Sequence, residues 1–390
     1  MRSMVIKHGS VLLPNGELST CDVLIKEGKI SSIGDGLAAG SEIDATGCHV
    51  LPGLIDLHTH GIGYVSTDEG TLEEYANIEA SRGTTTFYPT FFGPPEVTVE
   101  NIKRHLRETD NLKSTPQIAG FRLESPYLAK TGAGLNKDLV TISANVTSKL
   151  LEAGGGHIKI WDISPELDGA PELFRELTGS GIICSIAHTH CSIDQARRAV
   201  DAGARLVTHM FDTFDVPVMT DPGVYPAGLT DYLLVEDRLV CEIIGDGTHV
   251  HPLLVEKVFR CKTPECTVFV TDSNYGAGLP PGRYTLPGGW GDAAIDGPNN
   301  GVRMIDRDMG LAGSALTPID NFRNVMELFN KDLAVASRVC SKTPAELMGL
   351  NKGEIAVGRD GDVIVVDSAF EVRIAVVGGM VVYTHMAINK

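Results

Sequence analysis

Short apolar runs that stop at a polar residue recur through the middle of the chain. Eight of them read as β-strands, ending near His60, Thr90, Glu124, Asp162, His188, His209, Asp246 and Asp272. Between most of them lie amphipathic segments with helical spacing: Thr71 to Arg82, Val97 to Thr109, Ile193 to Ala202 and Leu253 to Arg260. Eight such β/α units in roughly 220 residues predict a (β/α)8 barrel. The two ends are patterned differently. Met4 to Gly9, Asp22 to Ile25 and Lys29 to Gly34 are short strands, with a turn at Pro14-Asn15-Gly16 after the first. Gly361 to Asp367 is another strand, and Arg373 to Tyr383 reads as a hairpin around Gly378-Gly379. The expected architecture is α/β: a TIM-like barrel over residues 51–349, with a small β-sandwich domain built from residues 1–50 and 350–390.

The polar residues that end these runs are chemically alike. Most strands are apolar until a His, Glu or Asp appears at the C-terminal end, which is where such barrels carry their active sites. His58-Thr59-His60 places two imidazoles on one face, because side chains at i and i+2 of a strand point the same way. His188-Thr189-His190 repeats the spacing, and His209 ends the sixth strand. Glu124 and Asp272 add carboxylates at strands three and eight. Taken singly, each is as well explained by a core histidine or a solvated loop acid. Unrelated core polar residues would not all fall at one end of the barrel, and together they make an N/O donor set for a hydrolytic metal centre.

Composition narrows the function. An apolar content of 43% over 390 residues suits a large core. Fifty acidic residues against 33 basic give a net charge of −17, and no block of Lys or Arg occurs. Nucleic acid and anionic membranes are therefore not expected partners. The longest apolar runs, such as Gly181 to Ala187, are too short to span a bilayer. No hydrophobic signal segment follows Met1-Arg2-Ser3-Met4. Eight scattered cysteines, with no CxxC, read as reduced thiols, so a cytoplasmic location is expected.

The ordered motifs resemble those of the amidohydrolase superfamily and, within it, the N-acetylglucosamine-6-phosphate deacetylases. Leu51-Pro52-Gly53-Leu54-Ile55-Asp56-Leu57-His58-Thr59-His60-Gly61 matches the superfamily's first-strand motif. Leu123-Glu124-Ser125-Pro126, Ala187-His188-Thr189-His190, Thr208-His209-Met210-Phe211, Asp246-Gly247-Thr248-His249-Val250 and Leu311-Ala312-Gly313-Ser314 follow in the deacetylases' order. The resemblance implies one or two divalent ions, with zinc expected. Glu124, His188 and His209 would hold one ion and His58 and His60 a second, with Glu124 as the bridge. Lys159, on strand four, lies short of the strand end where other family members place a bridging lysine. The resemblance makes Asp272 the proton carrier and His249 a group that holds the substrate near its scissile carbonyl. It places substrate contacts at Ala133, Gly134, Asp212, Thr213, Leu311, Ala312 and Gly313. It also implies a homodimer, with the segment from Asp215 to Asp231 as the subunit contact.

The departures concern the phosphate. Asp212-Thr213 stands where the family has Asn-Ala, Gly134 where it has His, and no Arg occurs between Phe214 and Val224. Replacing a guanidinium with nothing and an amide with a carboxylate removes a phosphate clamp and adds repulsion. The expected activity is removal of an N-acyl group, in particular acetyl, from a small molecule whose phosphorylation is in question. Arg283, Arg303 and Arg307 are candidate replacement contacts. A deaminase, an acylamino-acid or dipeptide hydrolase, and a non-catalytic protein on the same scaffold stay open alternatives. The retained Asp272 argues against the last.

Overall fold

The computed structural model describes residues 3–109, 117–132, 138–219 and 221–385. Eight parallel strands form the barrel: β1 (Leu54–Thr59), β2 (Thr84–Phe91), β3 (Phe121–Leu123), β4 (Ile158–Ile163), β5 (Ile183–Ile186), β6 (Leu206–Val207), β7 (Val240–Ile244) and β8 (Thr267–Val270). Each pairs with the next in chain order. The seam between β8 and β1 closes without a regular ladder. Asp272 N donates to His58 O at 2.9 Å, His60 N donates to Ser273 O at 2.8 Å, and Thr59 bridges Ser273 in parallel.

The amphipathic segments fold as expected. Helices run over Leu72–Ser81, Pro95–Thr109, Ile193–Asp201 and Pro252–Cys261. Two of them start at capping boxes, Thr71 with Glu74 and Ser192 with Gln195, which satisfy backbone N–H groups left free by the first turn.

The chain ends meet in one eight-stranded sheet. Its seam is the antiparallel pairing of His49–Pro52 with Val363–Val366. The strand Ser3–Leu12 splits its pairing on either side of a bulge. Met4 to Lys7 pair with Ser41 to Asp44, while Ser10 and Val11 pair with His49 and Val50. The resulting bend wraps the sheet around a small core of Ile6, Val23, Ile25, Val50, Val363 and Val376. Gly9 is required at the bulge, since a Cβ there would come within 2.3 Å of the Val50 side chain. Alternation along the seam strand sends Val50 into this core and Leu51 into the barrel core, beside Leu54 and Phe91.

Two features differ from expectation. The strands are not apolar up to their ends. Arg122 in β3, Asp162 in β4 and Glu242 in β7 are fully buried inside the barrel. The Arg122 guanidinium donates to Asp162 Oδ2 at 2.8 Å, Glu242 Oε1 at 2.6 Å and Thr208 Oγ1 at 3.0 Å. Burial opposes the Glu242 charge, but the Arg122 charge outweighs it and holds the carboxyl down at about 2. The second feature follows β8. There the chain builds a four-stranded antiparallel sheet from Gly282–Leu286, Gly291–Ile295, Arg303–Met304 and Gly310–Leu311. These strands are too short and glycine-rich for a period to show. They carry Trp290, Arg307 and the Leu311–Ala312–Gly313 stretch to the mouth of the barrel.

Candidate metal centre

β1 ends on the first pair of imidazoles. His60 Nδ1 lies 3.0 Å from the Thr90 carbonyl, which points its Nε2 into the barrel mouth, 3.2 Å from His58 Nε2. Glu124 follows β3 directly, and the next residue anchors its turn, with Ser125 Oγ accepting from Gly93 N at 2.9 Å. His188, His209 and Asp272 each stand two residues beyond the ends of β5, β6 and β8. All three have left-handed backbones, with φ of 43°, 24° and 47°. Non-glycine residues hold that conformation at a cost of about 1–3 kcal/mol, and it gathers at functional sites.

The Glu124 carboxylate joins two donor groups. Its Oε1 lies 2.8 Å from His188 Nε2 and 3.3 Å from His209 Nε2, and its Oε2 lies 3.0 Å from His60 Nε2. Asp272 Oδ1 is 3.4 Å from the Nε2 atoms of both His58 and His60. The donor atoms of Glu124, His188 and His209 form one set within 4.8 Å of one another, and those of His58, His60 and Asp272 form another. A third set within the same limit is His209, Asp212 and Asp272. Lys159 starts at the opposite end of β4, where a Cβ on Gly120 would touch its side chain.

These residues fit a divalent ion. The Nε2 atoms of His188 and His209 face each other at 3.1 Å, as those of His58 and His60 do at 3.2 Å. Two bare imidazole lone pairs cannot face one another so closely, so each pair shares either an N–H hydrogen or a metal ion. The protonation equilibria carry the same message. Burial disfavours the His60 imidazolium, but the charges and hydrogen bonds of Glu124 and Asp272 lift it to about 10. His209 rises to about 10 against burial, through its Glu124 hydrogen bond and the charges of Asp212, Asp272 and Glu124. Burial likewise opposes the Glu124 and Asp272 charges, yet the surrounding histidines hold both carboxyls well below the ordinary carboxylate range. The cluster is an anionic trap that calls for positive charge at its centre. Imidazole and carboxylate donors suit first-row divalent ions.

His249 is oriented by a residue of its own motif. Asp246 Oδ2 lies 2.7 Å from His249 Nδ1, while Asp246 Oδ1 accepts the backbone N–H groups of Thr248 and His249. This aspartate was legible as part of the motif, but its supporting role was not.

The donors open into a cavity of about 450 Å³. His249, Asp212, Leu311, Ala312 and Gly313 line it. Thr213 does not line it, and instead packs near Gly132 with φ of 58°. Ala133 and Gly134 lie outside the described residues. His190 is turned away and exposed, paired to Asp215 at 2.6 Å. Of the three candidate arginines only Arg307 reaches the wall, its guanidinium over the Trp290 ring. Asp68, Asp138, Asn274 and Trp290 line the cavity too. No motif marked them, because loops bring them in from distant positions.

A parallel barrel with an N/O donor cluster at its C-terminal mouth defines a metal-dependent hydrolase. The chain belongs to the Amidohydrolase family, whose sequence model matches residues 49–382. It is 29% identical over 375 residues to the N-acetylglucosamine-6-phosphate deacetylase of Lysinibacillus sphaericus, covering 94% of each chain. It is 28% identical to the N-acetylgalactosamine-6-phosphate deacetylase of Escherichia coli O157:H7, over 95% of this chain and 96% of that one. A mutant N-acetyl-D-glucosamine-6-phosphate deacetylase from Mycobacterium smegmatis, solved with N-acetyl-D-glucosamine-6-phosphate, superposes with a TM-score of 0.85. That pair is 26% identical, covering 98% of this chain and 100% of the other. The protein is accordingly a metal-dependent amide hydrolase of the deacetylase type.

Proposed function

We propose that this enzyme removes the acetyl group from a small N-acetylated amino sugar, and that a 6-phosphate is not its preferred substituent. The observation that carries the second half is the charge on the cavity wall. Asp68, Asp138 and Asp212 line it outside the two main donor sets, and Arg307 is the only lysine or arginine among the described lining residues. Asp212 bears directly on the reacting centre, since its carboxylate lies within 4.8 Å of the Asp272 and His209 donor atoms.

In this reading Glu124, His188 and His209 would hold one ion, and His58 and His60 would hold a second, with the Glu124 carboxylate serving both sites. Zinc is the ion we expect. Bound there, it would supply Lewis acidity to the acyl carbonyl and to the attacking water. Asp272 takes the proton from that water and returns it to the leaving amine. His249, held by Asp246, donates from Nε2 to the carbonyl oxygen as negative charge develops on it. Trp290 and the Leu311–Gly313 backbone bound the substrate's other face. The apolar side chains of Val216, Val218, Met219, Val224 and Tyr225 are exposed on one segment, which supports a homodimer contact there. All eight cysteines are free, in keeping with a cytoplasmic location, and no described helix is long and apolar enough to cross a membrane.

The test is metal analysis of purified protein beside an assay of acetate and ammonia release. The panel is N-acetylated sugars, sugar phosphates and amino acids. Acetate release from a non-phosphorylated sugar supports the reading, whereas ammonia release or strict dependence on phosphate defeats it.

A further inference from the structure

One wall residue has no role in the chemistry above. Asp138 is only 8% exposed and lines the cavity. Its Oδ1 is sealed from solvent and has no hydrogen-bond partner among the described residues. At that oxygen the carboxylate loses hydration and receives no hydrogen bond from the described residues in return. Asp68 and Asp212 share the cavity and carry the same sign. Asp68 is satisfied by Asn101 at 2.8 Å, and the nearest ring nitrogen to Asp212 is His209 Nδ1 at 3.9 Å. Arg307, the one guanidinium of the wall, lies over Trp290 at 5.8 Å from the ring centroid. A concave wall of this charge focuses a field that attracts cations.

We propose that Asp138 is the seat of a substrate ammonium group, so that the preferred substrate is an N-acetylated amino sugar carrying a second, free primary amine. A protonated amine supplies three donors and a full charge to a carboxylate that has neither. A hydroxyl supplies one donor and no charge, and a phosphate supplies repulsion. The proposal rests on the deacetylase reading, and its test separates the two.

Three sugars share one ring and one acetamide and differ only at carbon six: N-acetylglucosamine, its 6-phosphate, and 6-amino-6-deoxy-N-acetylglucosamine. Acetate release by the metal-loaded enzyme at neutral pH should rank them amino, then hydroxyl, then phosphate. The first step should be roughly tenfold or more in kcat/KM, as for desolvated charge pairs. Asp138→Asn should bring the amino-to-hydroxyl ratio to about 1, a loss of the whole preference. The wild-type order decides the matter by itself if that variant fails to fold. A hydroxyl or phosphate sugar in first place overturns the ammonium site and leaves deacetylation standing. If none of the three releases acetate, the amino-sugar reading fails. Calorimetric binding of the same three sugars to metal-loaded Asp272→Asn then decides the ammonium site, which stands only if the amino sugar binds most tightly.

Discussion

Thr59 and Ser273 pair across the seam of the barrel, 214 positions apart in sequence, with Thr59 Oγ1 and Ser273 Oγ 2.8 Å from one another. This contact brings the His58–His60 pair beside Asp272. It adds to the two backbone bonds of the seam, Asp272 N to His58 O and His60 N to Ser273 O, which hold the same residues together. The closing bridge of the barrel is thus also the link between the two halves of its chemistry.

That geometry bears first on metal content. Replacing His58 and His60 together with Ala should lower metal content by about one ion per chain and leave the Glu124/His188/His209 set loaded. Glu124→Gln should weaken both, because its two oxygens face different donor pairs. Elemental analysis of the purified variants decides it, and unchanged content in the double variant at full loading refutes a two-ion centre.

Asp272→Asn keeps the shape of the side chain and removes its capacity to carry a proton. Turnover should fall by ~10²-fold or more, the range for a lost general base, with metal content and melting temperature little changed. A correctly metallated variant with near wild-type turnover would remove Asp272 from that role.

Asp212→Asn tests the repulsion by itself. Removing one like charge beside the reacting centre should raise kcat/KM for N-acetylglucosamine 6-phosphate by roughly tenfold. The value for the unphosphorylated sugar should move much less. Equal changes for both would show that Asp212 acts on the reaction and not on the substituent.

Arg122→Leu should be the costliest single change in the barrel interior. It leaves Asp162 and Glu242 buried without their cation, a loss of about 3–5 kcal/mol. Chemical denaturation of the purified variant measures it. A loss under about 1 kcal/mol would mean that the interior relaxes around the two acids.

Glu79 predicts a pH dependence. It is fully buried, and burial followed by the Asp56 charge raises its carboxyl to about 8, against a hydrogen bond from Thr84. A folded-state value above the unfolded one means the contribution is fully present below pH 4.5 and is lost as pH rises through about 8. Glu79→Gln should therefore stabilise the protein at pH 8 by on the order of 2 kcal/mol and do little at pH 4.5. Melting curves across that range check it, and an equal effect at both ends would contradict the assignment.

Local pattern was enough for much of this protein. The period of the apolar positions specified the β/α alternation, and the structure starts two of the predicted helices at the capping boxes of Thr71 and Ser192. His58, Glu124, His188, His209 and Asp272 were visible because each lies close to where one strand stops, and a strand end is a local event. The hairpin at Gly378-Gly379 was visible for the same reason.

What the tertiary structure alone decided is which of these ends meet, and what else meets there. Arg122 stands in a strand with no motif to explain its charge, which is tolerable only because Asp162 and Glu242 arrive from strands 40 and 120 residues further on. Asp138, Asp68, Trp290 and Arg307 carry no motif, and they share a cavity only once the barrel has closed. Short, glycine-rich strands after β8 left no period to read, and their place over the mouth comes from packing around Tyr275, Val302 and Met304. The donor residues are a property of the sequence. Their convergence and the charge of the pocket around them depend on three-dimensional burial and pairing, which no local pattern contains.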